Sequence, residues 1–215
     1  MGIEAILFDL GNVLVRFSHD PIARGLAGRA RKAPYQDPRE VARYLFDAEH
    51  GVQNGFDMGR VTPEAYFLSL VREMALDLDF PGFVGIWNPI FQPMPGAERL
   101  VCFLGGRVET HLLSNTNALH FPHVLGLFPW LRRMDSWFLS HEMGCRKPSW
   151  EIYDRVLRQL GLPPERILYL DDMEANLLPA ADRGMRTALV TPHSSLRELI
   201  RSFLPDLPWD GFPWG

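Results

Sequence analysis

Residues 3–15 read IEAILFDLGNVLV. An apolar run covers residues 3–10 and breaks into Asp9-Leu10-Gly11-Asn12. A nearly continuous run of this length predicts a strand buried on both faces, followed by a loop. The same pattern recurs downstream. A second strand-like run, 108–113, leads into Ser114-Asn115-Thr116-Asn117, and a weaker run lies at 136–140. Residues 167–170 lead into Asp171-Asp172, and 187–190 form a fifth run.

Helical periods lie between these runs. Ser149 stands before Ile152, Tyr153, Val156, Leu157 and Leu160 at helical spacing, and Gly161 stops the pattern. Residues 175–183 read as another helix, stopped by Gly184. Strands that alternate with helices imply a parallel sheet covered on both faces. In such sheets, ligands bind beyond the carboxyl ends of the strands, where the polar clusters fall here.

Residues 16–94 break the alternation. They show helical patterns and no convincing strand. Thr62-Pro63-Glu64 is a helix start, with an N-cap followed by proline at the first helical position. Phe67, Leu68, Val71, Ala75 and Leu78 follow as its expected apolar face, and Val41, Leu45 and Phe46 mark an earlier helix. The expected architecture is α/β: a three-layer Rossmann-like core from residues 1–15 and 95–215, with residues 16–94 inserted as a helical cap.

The 215 residues suffice for one core plus a small insert. A net charge of −4 gives no nucleic-acid footprint. Cys102 and Cys145 form no metal-type pair and fit a reducing compartment. No stretch reaches the roughly 20 apolar residues of a membrane span. The N-terminal run has no basic leader and is interrupted by Asp9, so no signal peptide is expected and the expected location is cytoplasmic. Of the 22 basic residues only Lys32 and Lys147 are lysines. In a chain so rich in arginine, a retained lysine suggests a specific need.

Four polar clusters follow strand-like runs: Asp9, Ser114, Lys147 and Asp171-Asp172. As one site they suit phosphoryl transfer. A carboxylate nucleophile facing a phosphorus atom crowded by anionic oxygens needs compensating charge. Mg²⁺ held by Asp9, Asp171 and Asp172 supplies part of it, and Lys147 supplies a point charge. The Ser114 hydroxyl and the backbone N–H groups of Leu10, Gly11 and Asn115 complete the phosphoryl cradle. Asp9 would form an aspartyl-phosphate that water hydrolyses.

The ordered motifs D-x-x-x, S-N, K-P and D-D resemble those of the haloacid dehalogenase-like superfamily over the whole chain. FDLGNVLV, LLSNTNALH, GCRKPSWEIYDRVL and LYLDDMEAN are especially similar to its bacterial α-D-glucose-1-phosphate phosphatase branch. The resemblance implies a magnesium-dependent phosphatase acting on a small phosphorylated metabolite, with a sugar phosphate as one option.

One position departs from the resemblance. Phosphatases of this superfamily usually carry an acid–base aspartate two residues after the nucleophile, and here that residue is Gly11. The glycine carbonyl still offers a metal ligand, but the acid–base group is lost, worth on the order of 10² to 10⁴ in rate. His19 and His50 are the candidate replacements. Anomeric, acyl and aryl phosphates, whose leaving groups depart most readily without protonation, fit better than alkyl phosphates.

Blander expectations stand beside these. Asn117 caps the following helix, Asn176 braces a loop or faces solvent, Arg146 lies at the surface, and His120 and His123 lie at the surface or at a helix end. Phe56, Trp87 and Phe91 pack within the insert, and Cys145 fills space. The C-terminal PWDGFPWG, with two tryptophans, suits covering an apolar surface or joining an interface. Three other functions compete. A metal-independent 2-haloacid dehalogenase is opposed by the Asp171-Asp172 pair, which would repel a nucleophilic Asp9 without a cation. A non-catalytic binding protein draws support from Gly11. A phosphomutase needs the missing acid–base group.

Overall fold

The computed structural model describes residues 2–212. Its strands, in chain order, are β1 (Ala5–Phe8), β2 (Val15–Phe17), β3 (Phe91–Pro93), β4 (Glu109–Ser114), β5 (Ser136–Leu139), β6 (Ile167–Asp171) and β7 (Arg186–Leu189). Five of them form one parallel sheet in the order β5-β4-β1-β6-β7. The chain thus starts in the middle of the sheet, builds outward through β4 and β5, then crosses β1 to continue with β6 and β7. The crevice at this switch point opens beyond the carboxyl ends of β1, β4 and β6, which end at Phe8, Ser114 and Asp171.

The two-residue period of a strand divides the core into two layers. Ile6 and Phe8 face one side, with Leu112, Leu168 and Leu170. Ala5 and Leu7 face the other, with Leu113, Ile167 and Tyr169. All four residues of β1 are fully buried, as the unbroken apolar run requires. Burying a Phe8-sized side chain contributes roughly 2–3 kcal/mol.

Five helices fill the insert: α1 (Asp20–Ala27), α2 (Pro38–Phe46), α3 (Gln53–Asp57), α4 (Pro63–Met74) and α5 (Phe80–Trp87). They close over a separate apolar core that includes Leu26, Leu45, Leu70, Phe83 and Trp87. Thr62 caps α4 as expected, accepting from the Ala65 amide at 3.2 Å. The buried stripe of α4 differs from the expected one. It runs through Tyr66, Phe67, Leu70 and Met74, while Leu68 is 49% exposed. The true face is the expected spacing moved back by one residue, because Tyr66 stacks on Phe56 at 4.5 Å and turns the helix inward.

The insert also holds strand structure that the sequence reading missed. β2 and β3 pair antiparallel, Phe17 opposite Phe91, where the chain enters and leaves the helices. This ribbon is three residues on each side, too short for a periodic signal.

The first sheet face is covered by α6 (Ala97–Leu104), α7 (His120–Leu127) and, later in the chain, α11 (Leu196–Phe203). After the short α8 (Ser140–Met143), α9 (Trp150–Leu160) and α10 (Glu174–Ala181) cover the other face. Gly161 ends α9 in the left-handed region at φ 66°, but Ser149 makes no side-chain cap bond there. In the C-terminal segment Trp209 is buried, with its ring centroid 5.0 Å from that of Phe103. This segment covers an apolar surface of the core; its second tryptophan, Trp214, lies outside the described residues.

Candidate active site

Asp9 follows β1 directly, its amide donating to the Leu170 carbonyl at 2.8 Å, so the pairing of β1 with β6 sets its position. Lys147 is the focus of the site. It is 2% exposed, and its Nζ donates to Asp9 Oδ1 and Asp171 Oδ2, each at 2.6 Å. A solvated surface lysine is therefore excluded. Burial works against its charge, but the two carboxylates outweigh burial and hold its pKa above the ordinary range.

Asn115 holds the Lys147 backbone from both sides. Its Oδ1 accepts from the Lys147 amide and its Nδ2 donates to the Lys147 carbonyl, both at 2.9 Å. The motif after β4 thus aims the lysine, a role of the Asn115 side chain that spacing did not show. Ser114, at the end of β4, is buried and lines the same cavity as Asp9, Leu10, Gly11, Asn115 and Lys147.

Asp171 and Asp172 differ. Asp171 is fully buried and engaged on both oxygens. Oδ2 takes Lys147 and a close contact from the Tyr169 hydroxyl, and Oδ1 accepts from the Met173 amide at 2.8 Å and Asn176 Nδ2 at 2.9 Å. Burial would raise its pKa, but Lys147 and these donors hold it low. Asp172 is half-buried and receives Asn12 Nδ2 at 3.0 Å. Burial, with Asp171 beside it, raises its pKa. Asn12 reaches it from a left-handed backbone, φ 56°, which asparagine tolerates better than most residues. Asn176 is the loop brace of the two roles expected for it.

Asp9, Asp171 and Asp172 offer carboxylate oxygens within 4.8 Å of one another. Burial lifts the Asp9 pKa to about 7 against the pull of Lys147, with Asp171 and Asp172 adding to the rise. Three carboxylates and one ammonium leave excess negative charge in a buried place. Hard oxygen donors at this spacing fit a magnesium-sized cation.

The cavity over these groups measures about 370 Å³. Its far wall comes from the insert and includes Phe17, His19, Phe46, Gln53 and Asn54. His19 stacks flat on Phe46 with ring centroids 4.0 Å apart, and burial lowers its pKa to about 4. His50, the other candidate for the missing acid–base role, lies outside the cavity lining, with its side chain 78% exposed beside Asp47. A larger cavity of about 810 Å³ lies beside the β2 entry. It contains neither Asp9, Ser114 nor Lys147, so the chemistry places the site in the smaller one.

His120 takes the helix-end place of the two expected for it, as the first residue of α7, and is buried there, stacked on Trp87 at 5.3 Å, with Nε2 bonded to the Trp87 carbonyl at 3.0 Å. The surface expectation for Arg146 is corrected. Arg146 lines the cavity and donates to the Ala48 carbonyl of the insert at 3.1 Å. Asn117 does cap, accepting from the His120 amide at 3.0 Å, but its Nδ2 also donates to Asp57 Oδ1 at 2.9 Å. The Asp57 carbonyl in turn accepts from Ser140 Oγ at 2.5 Å. This buried latch between insert and core went unread because its partners lie 60 or more residues apart. Phe56 and Trp87 pack within the insert as expected; Phe91 packs there and also lines the cavity.

The family model for haloacid dehalogenase-like hydrolases matches residues 3–184. The chain belongs to the haloacid dehalogenase-like hydrolases. Among relatives of this family, it is 25% identical over 203 residues to D-ribitol-5-phosphate phosphatase of Bacteroides thetaiotaomicron, covering 86% of this chain and 90% of that one. It is 24% identical over 191 residues to drimenol cyclase drtB of Aspergillus calidoustus, covering 87% of this chain. The chain spans only about a third of drtB, 34% of its length. A solved haloacid dehalogenase-like enzyme of B. thetaiotaomicron, in complex with magnesium and inorganic phosphate, superimposes with a TM-score of 0.81 at 25% identity, covering 93% of this chain and 100% of that one. Among the described residues, no helix is long and apolar enough to cross a membrane.

Proposed function

We propose that this haloacid dehalogenase-like hydrolase is a magnesium-dependent phosphatase of small phosphorylated metabolites, acting through an aspartyl-phosphate on Asp9. The observation that carries it is the position of Lys147, shared at 2.6 Å between Asp9 and Asp171 beneath a small cavity. Residues 16–94 act as its cap. The magnesium and phosphate complex of the similar Bacteroides enzyme supports the cofactor and the ligand class.

In this reading an Asp9 carboxylate oxygen attacks phosphorus in line, and the bond to the leaving oxygen breaks as the new one forms. Lys147, Ser114 and the amides of Leu10, Gly11 and Asn115 hold the phosphoryl oxygens. Asp9, the Gly11 carbonyl and Asp172 would hold magnesium, with Asp171 near it and chiefly orienting Lys147. The ion, when bound, would neutralise phosphoryl charge. Water then attacks the aspartyl-phosphate, releasing phosphate and restoring the Asp9 carboxylate.

Gly11 supplies no acid for the leaving group. Anomeric, acyl and aryl phosphates are therefore the favoured substrates. The metal-independent dehalogenase reading is disfavoured by the crowding of three carboxylates. Phosphate release from a panel of esters, with magnesium or with chelator, tests the proposal. Release that survives chelation, or release from none of the esters by folded protein, contradicts it.

A further inference from the structure

Gln53 is the first residue of α3 and lies 92% buried, with an exposure of 8%, on the insert side of the cavity. Its amide is fixed in orientation. Nε2 donates to Asp57 Oδ2 at 3.0 Å, and Asp57 Oδ1 is already occupied by Asn117 Nδ2. A carboxylate takes the NH₂ end of the amide, not the carbonyl end. Gln53 Oε1 is thereby left as an acceptor, and among the described residues it has no hydrogen-bond partner. A buried acceptor without a partner is unfavourable. A donor from the ligand removes that cost.

The surroundings narrow the donor. The His19–Phe46 stack, Phe17 and Phe91 give the same cavity a flat aromatic side, suited to the C–H face of a compact ring or chain. Arg146 lines it too, and its buried Nε has no partner among the described residues. About 370 Å³ admits a small molecule. One acceptor and one donor beside aromatic rings match a hydroxyl, which both donates and accepts.

We propose that Gln53 is a specificity-determining residue that accepts a hydrogen bond from a hydroxyl of the leaving group, so that the substrate class is a small polyhydroxylated phosphate ester. Asp57 is a positioning residue that acts through Gln53. This rests on the phosphatase reading above.

The test compares wild type with Gln53→Met on two probes, glucose 1-phosphate and acetyl phosphate. Both leaving groups depart without a strong need for protonation, but only the first carries hydroxyls. The expected result is a 10- to 100-fold fall in kcat/KM for glucose 1-phosphate and less than a twofold change for acetyl phosphate. A merely structural role for Gln53 lowers both equally. An equal loss, no loss, or wild-type turnover of acetyl phosphate alone overturns the inference while leaving the phosphatase reading intact. Wild type inactive on both probes, with magnesium present, overturns both.

Discussion

Phe17 lies against Gly11 so closely that a β-carbon on residue 11 would stand 2.4 Å from the ring's Cε1 and 2.8 Å from Cδ1. The aromatic ring that begins the cavity wall fills the space where the usual acid–base aspartate would project. The absence of that aspartate and the presence of Phe17 are one packing arrangement. Gly11→Asp is therefore expected to lower the melting temperature, by overpacking worth about 1–3 kcal/mol, without raising turnover of alkyl phosphates. Combining it with Phe17→Ala should recover much of that stability, a non-additivity expected of touching residues. Thermal melts of both variants check this; a Gly11→Asp protein as stable as wild type contradicts the packing argument.

Lys147 neutralises two carboxylates from a nearly closed position. Lys147→Met should cut kcat/KM by about 10²–10³ or more and destabilise the metal-free protein by roughly 3–5 kcal/mol, because Asp9 and Asp171 lose their buried counter-charge. Lys147→Arg should not rescue activity, since a planar guanidinium does not fit the slot of a 2% exposed ammonium. Steady-state kinetics and urea unfolding measure both effects.

Asp57 ties the insert to the core by accepting from Asn117 at 2.9 Å, while its other oxygen accepts from Gln53 of the same helix at 3.0 Å. Burial raises its pKa while these two donors resist the rise. Asp57→Ala leaves both amides unpaired in a dry place and is expected to cost about 2–4 kcal/mol. Limited proteolysis should then cut first within residues 16–94. Unchanged stability would show that the latch carries no load.

His120 gives a pH dependence of stability whose sign follows from burial. Burial lowers its pKa to about 3, opposed by its bond to the Trp87 carbonyl and assisted by His19 and His123. Above pH 6.5 the ring is neutral in both folded and unfolded chains and contributes no slope. Below 6.5 the unfolded chain takes up a proton that the folded one refuses, so stability falls as pH falls, by up to about 1.4 kcal/mol per pH unit. The trend ends near pH 3. Asp9, whose pKa burial lifts to about 7, also titrates within this window, so the measurement is the difference between wild type and His120→Gln in urea midpoint from pH 7.5 to 5. Stability lost by wild type relative to the variant is expected; a flat difference contradicts it.

The centre of the sheet is legible in the sequence because β1 and β6 are buried on both faces, and nearly continuous apolar runs such as 3–10 mark such strands. Asp9, Ser114, Lys147 and the aspartate pair were legible because each follows the end of a run, where parallel sheets collect their ligands. What escaped the sequence depends on distant partners. Asn115 around Lys147 joins two separate segments of the core, and Phe17 against Gly11, Asp57 with Asn117 and His120 under Trp87 are set by how the insert folds back on the core. Residue type does not mark two further places. The buried face of α4 includes Tyr66, whose hydroxyl end disguises an apolar ring, and Arg146, of a type usually exposed, lines the cavity.

In the proposed reaction Asp9 carries the phosphoryl group. Mixing the magnesium-loaded protein with acetyl phosphate, quenching in acid within milliseconds and mapping the peptides by mass tests it directly. The expected result is one added phosphoryl group on the peptide containing Asp9, labile at alkaline pH, absent in Asp9→Asn and absent with chelator. Phosphate release at the wild-type rate by Asp9→Asn, or a phosphoryl group found on another residue, would contradict the account.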